Sequence, residues 1–72
     1  TLLQLEEHLE AALDRLPPLY REVLLLVGVE GMRPLEAAAV IGISPDALRQ
    51  RLSRARSMLA DQFEQVRTAV SP

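Results

Sequence analysis

Seventy-two residues without a cysteine make one small domain, in which folding buries only about 60% of the extended-chain surface, and they exclude a disulfide framework or a thiolate metal site, as fits a reducing compartment. Nearly half of the residues are apolar but only 3% are aromatic, and no apolar run reaches the roughly 20 residues of a membrane span or has the form of a signal peptide. The net charge of −2 is unevenly divided, with residues 1–46 at −5 and residues 47–72 at +3, which predicts two surfaces with two kinds of partner.

The expected fold is all-α, with Leu, Ala and Val packing helix on helix. The first helix is read over 2–16, where Leu2, Leu5, Leu9, Ala12, Leu13 and Leu16 share about a third of a helical wheel and the opposite face is acidic. Its start beside Thr1, without a Met, suggests a piece cut from a longer protein. Pro17 and Pro18 end that helix, because the residue before a proline is driven out of the α region. Pro18 then suits the first position of a second helix over about 18–29. Leu19, Val23, Leu26 and Val27 face one way, while Leu24 and Leu25 make this helix apolar almost all round. These two leucines are expected either to lie beneath helices one and four or to form a partner-binding face. Gly28 and Gly31 signal the turn that follows.

Helix three is short, about 34–41, with Pro34 at its start and the small residues of "AAAV" inside it. Gly42 and Ile43 precede Ser44, a good N-cap, then Pro45 at the first helical position and Asp46 in the positive first turn. Helix four begins at 45 and is expected to reach about 67, burying Leu48, Leu52, Ala55, Leu59, Phe63 and Val66. Four of the eight arginines fall on its first three turns, and the chain has no lysine. Gln50, Ser53, Arg54 and Ser57 point outward, Arg49 and Arg56 lie on one flank, and Arg51 lies on the other. An all-arginine usage fits bidentate contact with phosphate or guanine; GC-rich codons would produce the same bias.

A short alanine-rich helix, a glycine turn and a capped basic helix form a helix-turn-helix over about 34–59. The second helix then offers its N-terminal outer face to a DNA major groove, with arginines toward the phosphate walls and Gln, Ser and Arg toward base edges. No nucleophile, base and orienting acid come together in the sequence, and no phosphate-binding glycine loop or cofactor motif is present, so an enzyme is not expected. His8 lacks a partner ligand one turn away, which argues against a metal site.

At these residues the chain resembles region four of bacterial sigma factors, in the extracytoplasmic-function (ECF) branch of the sigma-70 family. The resemblance runs over about 13–59, through "L-x-x-L-P" at 13–17, "REVLLL" at 21–26, "EG" at 30–31, "A-x-x-I-G-I-S" at 38–44 and "R-L-x-R-A-R" at 51–56. It implies a single four-helix domain over 1–72, of the winged-helix-like sigma region 4 type, that works in the cytoplasm and reads the promoter −35 element. It also implies docking on the RNA polymerase core through the β flap, and capture by an anti-sigma factor. By position, Arg49, Gln50, Ser53 and Arg54 fall where the family contacts bases and nearby phosphates. Arg51 and Arg56 fall at positions that support the helix on the DNA backbone or within the fold, and Ser44 and Asp46 lie at the start of the reading helix. Leu24 and Leu25 are the candidate partner contacts.

The chain departs from the family pattern where Asp46 and Ala47 replace a small residue and Thr, where Arg33 and Pro34 replace Ser/Thr and an aromatic, and at Ala37, commonly Ile. Two rival readings follow from the same helices. One is the effector domain of a response-regulator-type transcription factor, which dimerises through its last helix. The other is a sigma mimic that binds an anti-sigma factor without touching DNA and would shed the basic residues that helix four retains.

Overall fold

Thr1 opens the first helix. Its hydroxyl accepts a hydrogen bond from the Gln4 backbone N–H at 3.2 Å, and the Gln4 side chain accepts one from the Thr1 nitrogen at 2.8 Å. This reciprocal box satisfies two donors that a helix start leaves open. The computed structural model describes residues 1–70, the last by its backbone alone; the end of the expected 1–72 domain, Ser71 and Pro72, lies outside the described residues. Helix α1 spans Leu2–Asp14, α2 spans Pro18–Leu24, α3 spans Pro34–Ile41 and α4 spans Pro45–Val70. Among the described residues there is no strand, so the fold is all-α.

Three of the four helices begin on a proline. That residue has no N–H to leave unsatisfied, and its fixed φ suits a first helical turn. Before α2, Pro17 is extended at φ −55°, ψ 145°, and its carbonyl accepts from Tyr20 and Arg21. Before α3, the Glu36 carboxylate accepts from the Arg33 backbone N–H at 3.1 Å; an arginine side chain has no acceptor to return the bond. Before α4, the Ser44 hydroxyl accepts from the Ala47 N–H at 3.1 Å, as its N-cap position predicts.

Helix two does not stay α-helical to 29. Leu25–Val29 form a π turn that continues α2, with the Glu30 N–H bonded to the Leu25 carbonyl at 2.9 Å. Gly31 then adopts positive φ, at 72°, a conformation that favours glycine.

The centre of the fold is Val23, Ala37, Ala38, Leu48, Leu52 and Ala55, each no more than 5% exposed. Three of these six are alanines. With so little side-chain bulk, α3 can approach α4 closely, which leaves few voids in a core this small. Tyr20, Leu24, Leu26, Val27, Met32, Ile41 and Ile43 close around it. Helix α1 lies along α4 and contributes the buried Ala12; Leu16, buried as well, lies just past the end of the helix, which stops at Asp14 and not at 16. At 26 residues, α4 is about 39 Å long and sets the 44 Å long axis of the molecule.

The apolar stripe of α1 is buried only at its C-terminal end. Leu2, Leu5 and Leu9 are 71%, 51% and 41% exposed. A wheel shows which residues share a face but not how near the next helix lies, and here Leu5 and Leu9 line an open groove with Arg56, Leu59, Ala60 and Phe63. The His8 ring meets Phe63 edge-on across 6.4 Å. Leu19, expected to face inward with Val23, is likewise 48% exposed.

Candidate nucleic-acid interface

The turn between α3 and α4 is made by backbone geometry at one residue. Gly42 sits at φ 86°, ψ 35°, the left-handed region that costs any residue with a Cβ. In that conformation the N–H groups of Gly42 and Ile43 both reach the Ala38 carbonyl, at 2.8 and 3.0 Å. The helix end is thus satisfied, and Ser44 starts the next helix two residues later.

Helix α4 buries Leu48, Leu52 and Ala55, so its other faces are set by the 100° step between residues. Asp46, Arg49, Gln50, Ser53, Arg54 and Arg56 are all exposed, and Ser44 is exposed at the cap. Seven of the eight expected interface residues therefore lie together on open surface. The eighth, Arg51, is half-buried and lines a notch with Leu19, Tyr20, Ala47, Gln50 and Arg54. A second notch on the opposite flank is lined by Pro34, Arg49, Leu52, Ser53, Arg56 and Ser57. The exposed face thus runs between two recesses, each bearing arginine and a hydroxyl or amide.

Tyr20 was not foreseen here. It belongs to α2, 31 residues before Arg51, and nothing in local spacing links the two. Its ring packs against the core while it lines the Arg51 notch, so its position is fixed by packing.

Among the described residues the ion pairs are Asp46–Arg49, at 3.0 Å, and Glu64–Arg67. Arg51 and Arg56, which the resemblance assigns to support of the helix on the DNA backbone or within the fold, form no ion pair among the described residues. The first three turns of α4 carry four arginines against one acid, a net +3 with little internal neutralisation. Farther along, Arg67 donates to the Glu64 carboxylate and holds it below its ordinary pKa.

The candidate partner leucines separate. Leu24 is half-buried against the core, whereas Leu25 is 39% exposed. Leu25 lines two adjoining recesses, one with Pro18, Arg21, Glu22, Leu26 and Glu30, the other with Glu10, Leu13, Asp14 and Arg21. Among the described residues no cluster of three or more His, Cys, Asp or Glu is arranged to hold a metal ion, and no helix is long and apolar enough to cross a membrane.

The chain is similar to known proteins over this same region. The family described as Sigma-70, region 4 matches residues 6–59. The ECF RNA polymerase sigma factor EcfG of Rhodopseudomonas palustris is 44% identical over 54 residues, covering 75% of this chain and 30% of that protein. The ECF RNA polymerase sigma factor SigE of Mycolicibacterium smegmatis is 40% identical over 53 residues, covering 74% of this chain and 21% of that protein. The probable RNA polymerase sigma factor RfaY of Xanthomonas campestris is 44% identical over 66 residues, covering 88% of this chain and 16% of that protein. The chain therefore spans less than a third of the length of these relatives. No solved structure matches it significantly. With a family match that takes in α2, α3 and the basic turns of α4, the chain belongs to the sigma-70 family as a region 4 domain of the extracytoplasmic-function type.

Proposed function

We propose that this domain binds the −35 element of bacterial promoters, within a sigma factor that directs RNA polymerase to begin transcription in the cytoplasm. The role is one of binding, not of catalysis. The observation that carries it is the exposed Arg49–Gln50–Ser53–Arg54 surface on the first turns of α4, held by the Gly42 turn and the Ser44 cap. A helix presented in this way enters the major groove by its N-terminal turns. Arginine can take guanine O6 and N7 together, and Gln can take adenine N6 and N7. The flank notches meet the phosphate walls, where contact is independent of sequence.

The negative total charge makes the isolated domain a weak DNA binder, and polymerase supplies the remaining attraction. The surface around Leu25 is the docking face for the polymerase β flap or for an anti-sigma factor. It is apolar at its centre and carries Glu10, Asp14, Glu22 and Glu30 around it, which suits a partner with basic residues.

The test is a selection on randomised duplexes with the intact protein bound to core polymerase, followed by anisotropy titrations on the selected and shuffled duplexes. Arg54→Ala should lower the discrimination between them by about 1–3 kcal/mol. Failure to enrich any duplex, together with indifference of the holoenzyme to Arg49→Ala and Arg54→Ala, would refute the assignment. Enrichment lost on Leu25→Glu rather than on Arg54→Ala would favour a module that acts through protein contact alone.

A further inference from the structure

The acid beside the four arginines on the first turns of α4 is Asp46, and it holds one of them. Its carboxylate accepts from the Arg49 guanidinium at 3.0 Å, with the two side chains 89% and 63% exposed. An exposed pair of this kind contributes little to stability, because both groups remain hydrated and lose side-chain freedom. Nor is Asp46 the cap of the helix, since the Ser44 hydroxyl already accepts from the Ala47 N–H. The fold therefore gives this carboxylate only the modest gain of lying at the positive helix start, while the adjoining cationic face gives a reason against it.

We propose, resting on the DNA-binding reading above, that Asp46 is a specificity-determining residue that acts through Arg49. Two features at the start of α4 attract any phosphate: the positive end of the helix and the Arg49 guanidinium. A carboxylate beside both opposes them, and it does so for every duplex regardless of sequence. Non-specific binding is driven by phosphate neutralisation and counterion release, so that mode loses most.

A cognate site is affected less. A guanidinium has five N–H donors, and a contact with Asp46 leaves the others available. The carboxylate also restrains Arg49 before contact, which reduces the freedom lost when the guanidinium meets a base-edge acceptor in the right place. A misplaced phosphate must instead compete with the carboxylate for it. Asp46 thus lowers the background of wrong contacts more than it lowers the right one.

The experiment uses the intact protein with core polymerase, the duplex selected by the wild type, and a shuffled duplex of the same composition. Wild type, Asp46→Asn, Arg49→Ala and the double variant are titrated across salt concentrations. Asparagine keeps the size and the hydrogen-bonding oxygen and removes the charge. Asp46→Asn should tighten binding to the shuffled duplex roughly three- to tenfold and change cognate binding less than about twofold, with the shuffled-duplex salt slope steeper by about one. In the Arg49→Ala background the gain on the shuffled duplex should shrink, because the group through which Asp46 mainly acts is gone and only its opposition at the helix start remains. An equal gain on both duplexes, an undiminished gain without Arg49, or no change in salt slope overturns the proposal. Arg54→Ala serves as the control for the underlying reading. If it reduces cognate binding while Asp46→Asn does nothing, only the Asp46 inference fails; if wild-type holoenzyme distinguishes no duplex, both fail.

Discussion

Gly42 and Gly28 make opposite predictions for the same substitution. A Cβ added at either would meet no atom within 4 Å, so neither replacement is opposed by crowding. The difference lies in the backbone. Gly42 is at φ 86°, where a residue with a Cβ is disfavoured by roughly 1–2 kcal/mol. Gly28 is not at positive φ, so alanine there mainly reduces the freedom of the unfolded chain, a gain of about 0.4–1 kcal/mol. For a chain of this length 1 kcal/mol corresponds to roughly 4–8 °C in melting temperature. Gly42→Ala should therefore melt about 4–16 °C lower, and Gly28→Ala about 2–8 °C higher. Asparagine tolerates the left-handed region better than alanine does, so Gly42→Asn should fall between wild type and Gly42→Ala. Thermal melts and urea titrations followed by circular dichroism read all three. Equal melting of wild type and Gly42→Ala, or a lower melting temperature for Gly28→Ala, would refute the backbone argument.

Leu25→Glu should leave the melting temperature within a few degrees, because the side chain is already 39% exposed, and should weaken association with the β flap or an anti-sigma factor in a pull-down or titration. Arg51→Ala and Tyr20→Phe, both in the α2-side notch, should weaken cognate and shuffled duplex binding alike, since in the proposed docking the flank meets backbone and not base edges; a loss confined to the cognate duplex would count against that placement. The Glu64 carboxyl is held low by hydrogen bonds from Arg67. Its folded pKa lies below its unfolded one, so its contribution is present above the ordinary carboxylate range and disappears as pH falls through the folded value. Glu64→Gln should accordingly abolish a small acid-induced loss of α4 helicity at 222 nm, a loss that should also fade at high salt.

The boundaries that prolines and side-chain caps define were legible in the sequence. Pro18, Pro34 and Pro45 start their helices as expected, and Ser44 caps α4, because each acts through its own covalent chemistry within one turn. Thr1 and Gln4 likewise have the spacing of a capping box, a signal confined to one turn. The basic face of α4 was legible because burying Leu48, Leu52 and Ala55 fixes the direction of everything between them. What escaped depends on distance in space. Tyr20 reaches the Arg51 notch only through the packing of α2 on α4, and the leucines of α1 form a stripe whose burial depends on how the two helices diverge. The Asp46–Arg49 contact has a local signal, i to i+3 on one helix, which the position of the acid at the helix start masks.

The wide turn at Leu25–Val29 has a consequence for how the length of this chain can change. A π turn closes its hydrogen bonds one residue later than an α turn, so the stretch holds one residue more than the same rise requires. Deleting a residue between 25 and 29 would tighten the loop to ordinary α geometry while leaving α1, the Gly42 turn and the basic turns of α4 intact. The adjustment would fall on Leu25, Val29 and Glu30, which line the outside, and on the approach to Gly31. Single-residue insertions and deletions inside helices usually rotate everything beyond them by about 100°. Here the wide turn can absorb the step, so a chain shortened by one residue at this place would keep the exposed basic turns of α4 while remodelling the surface around Leu25.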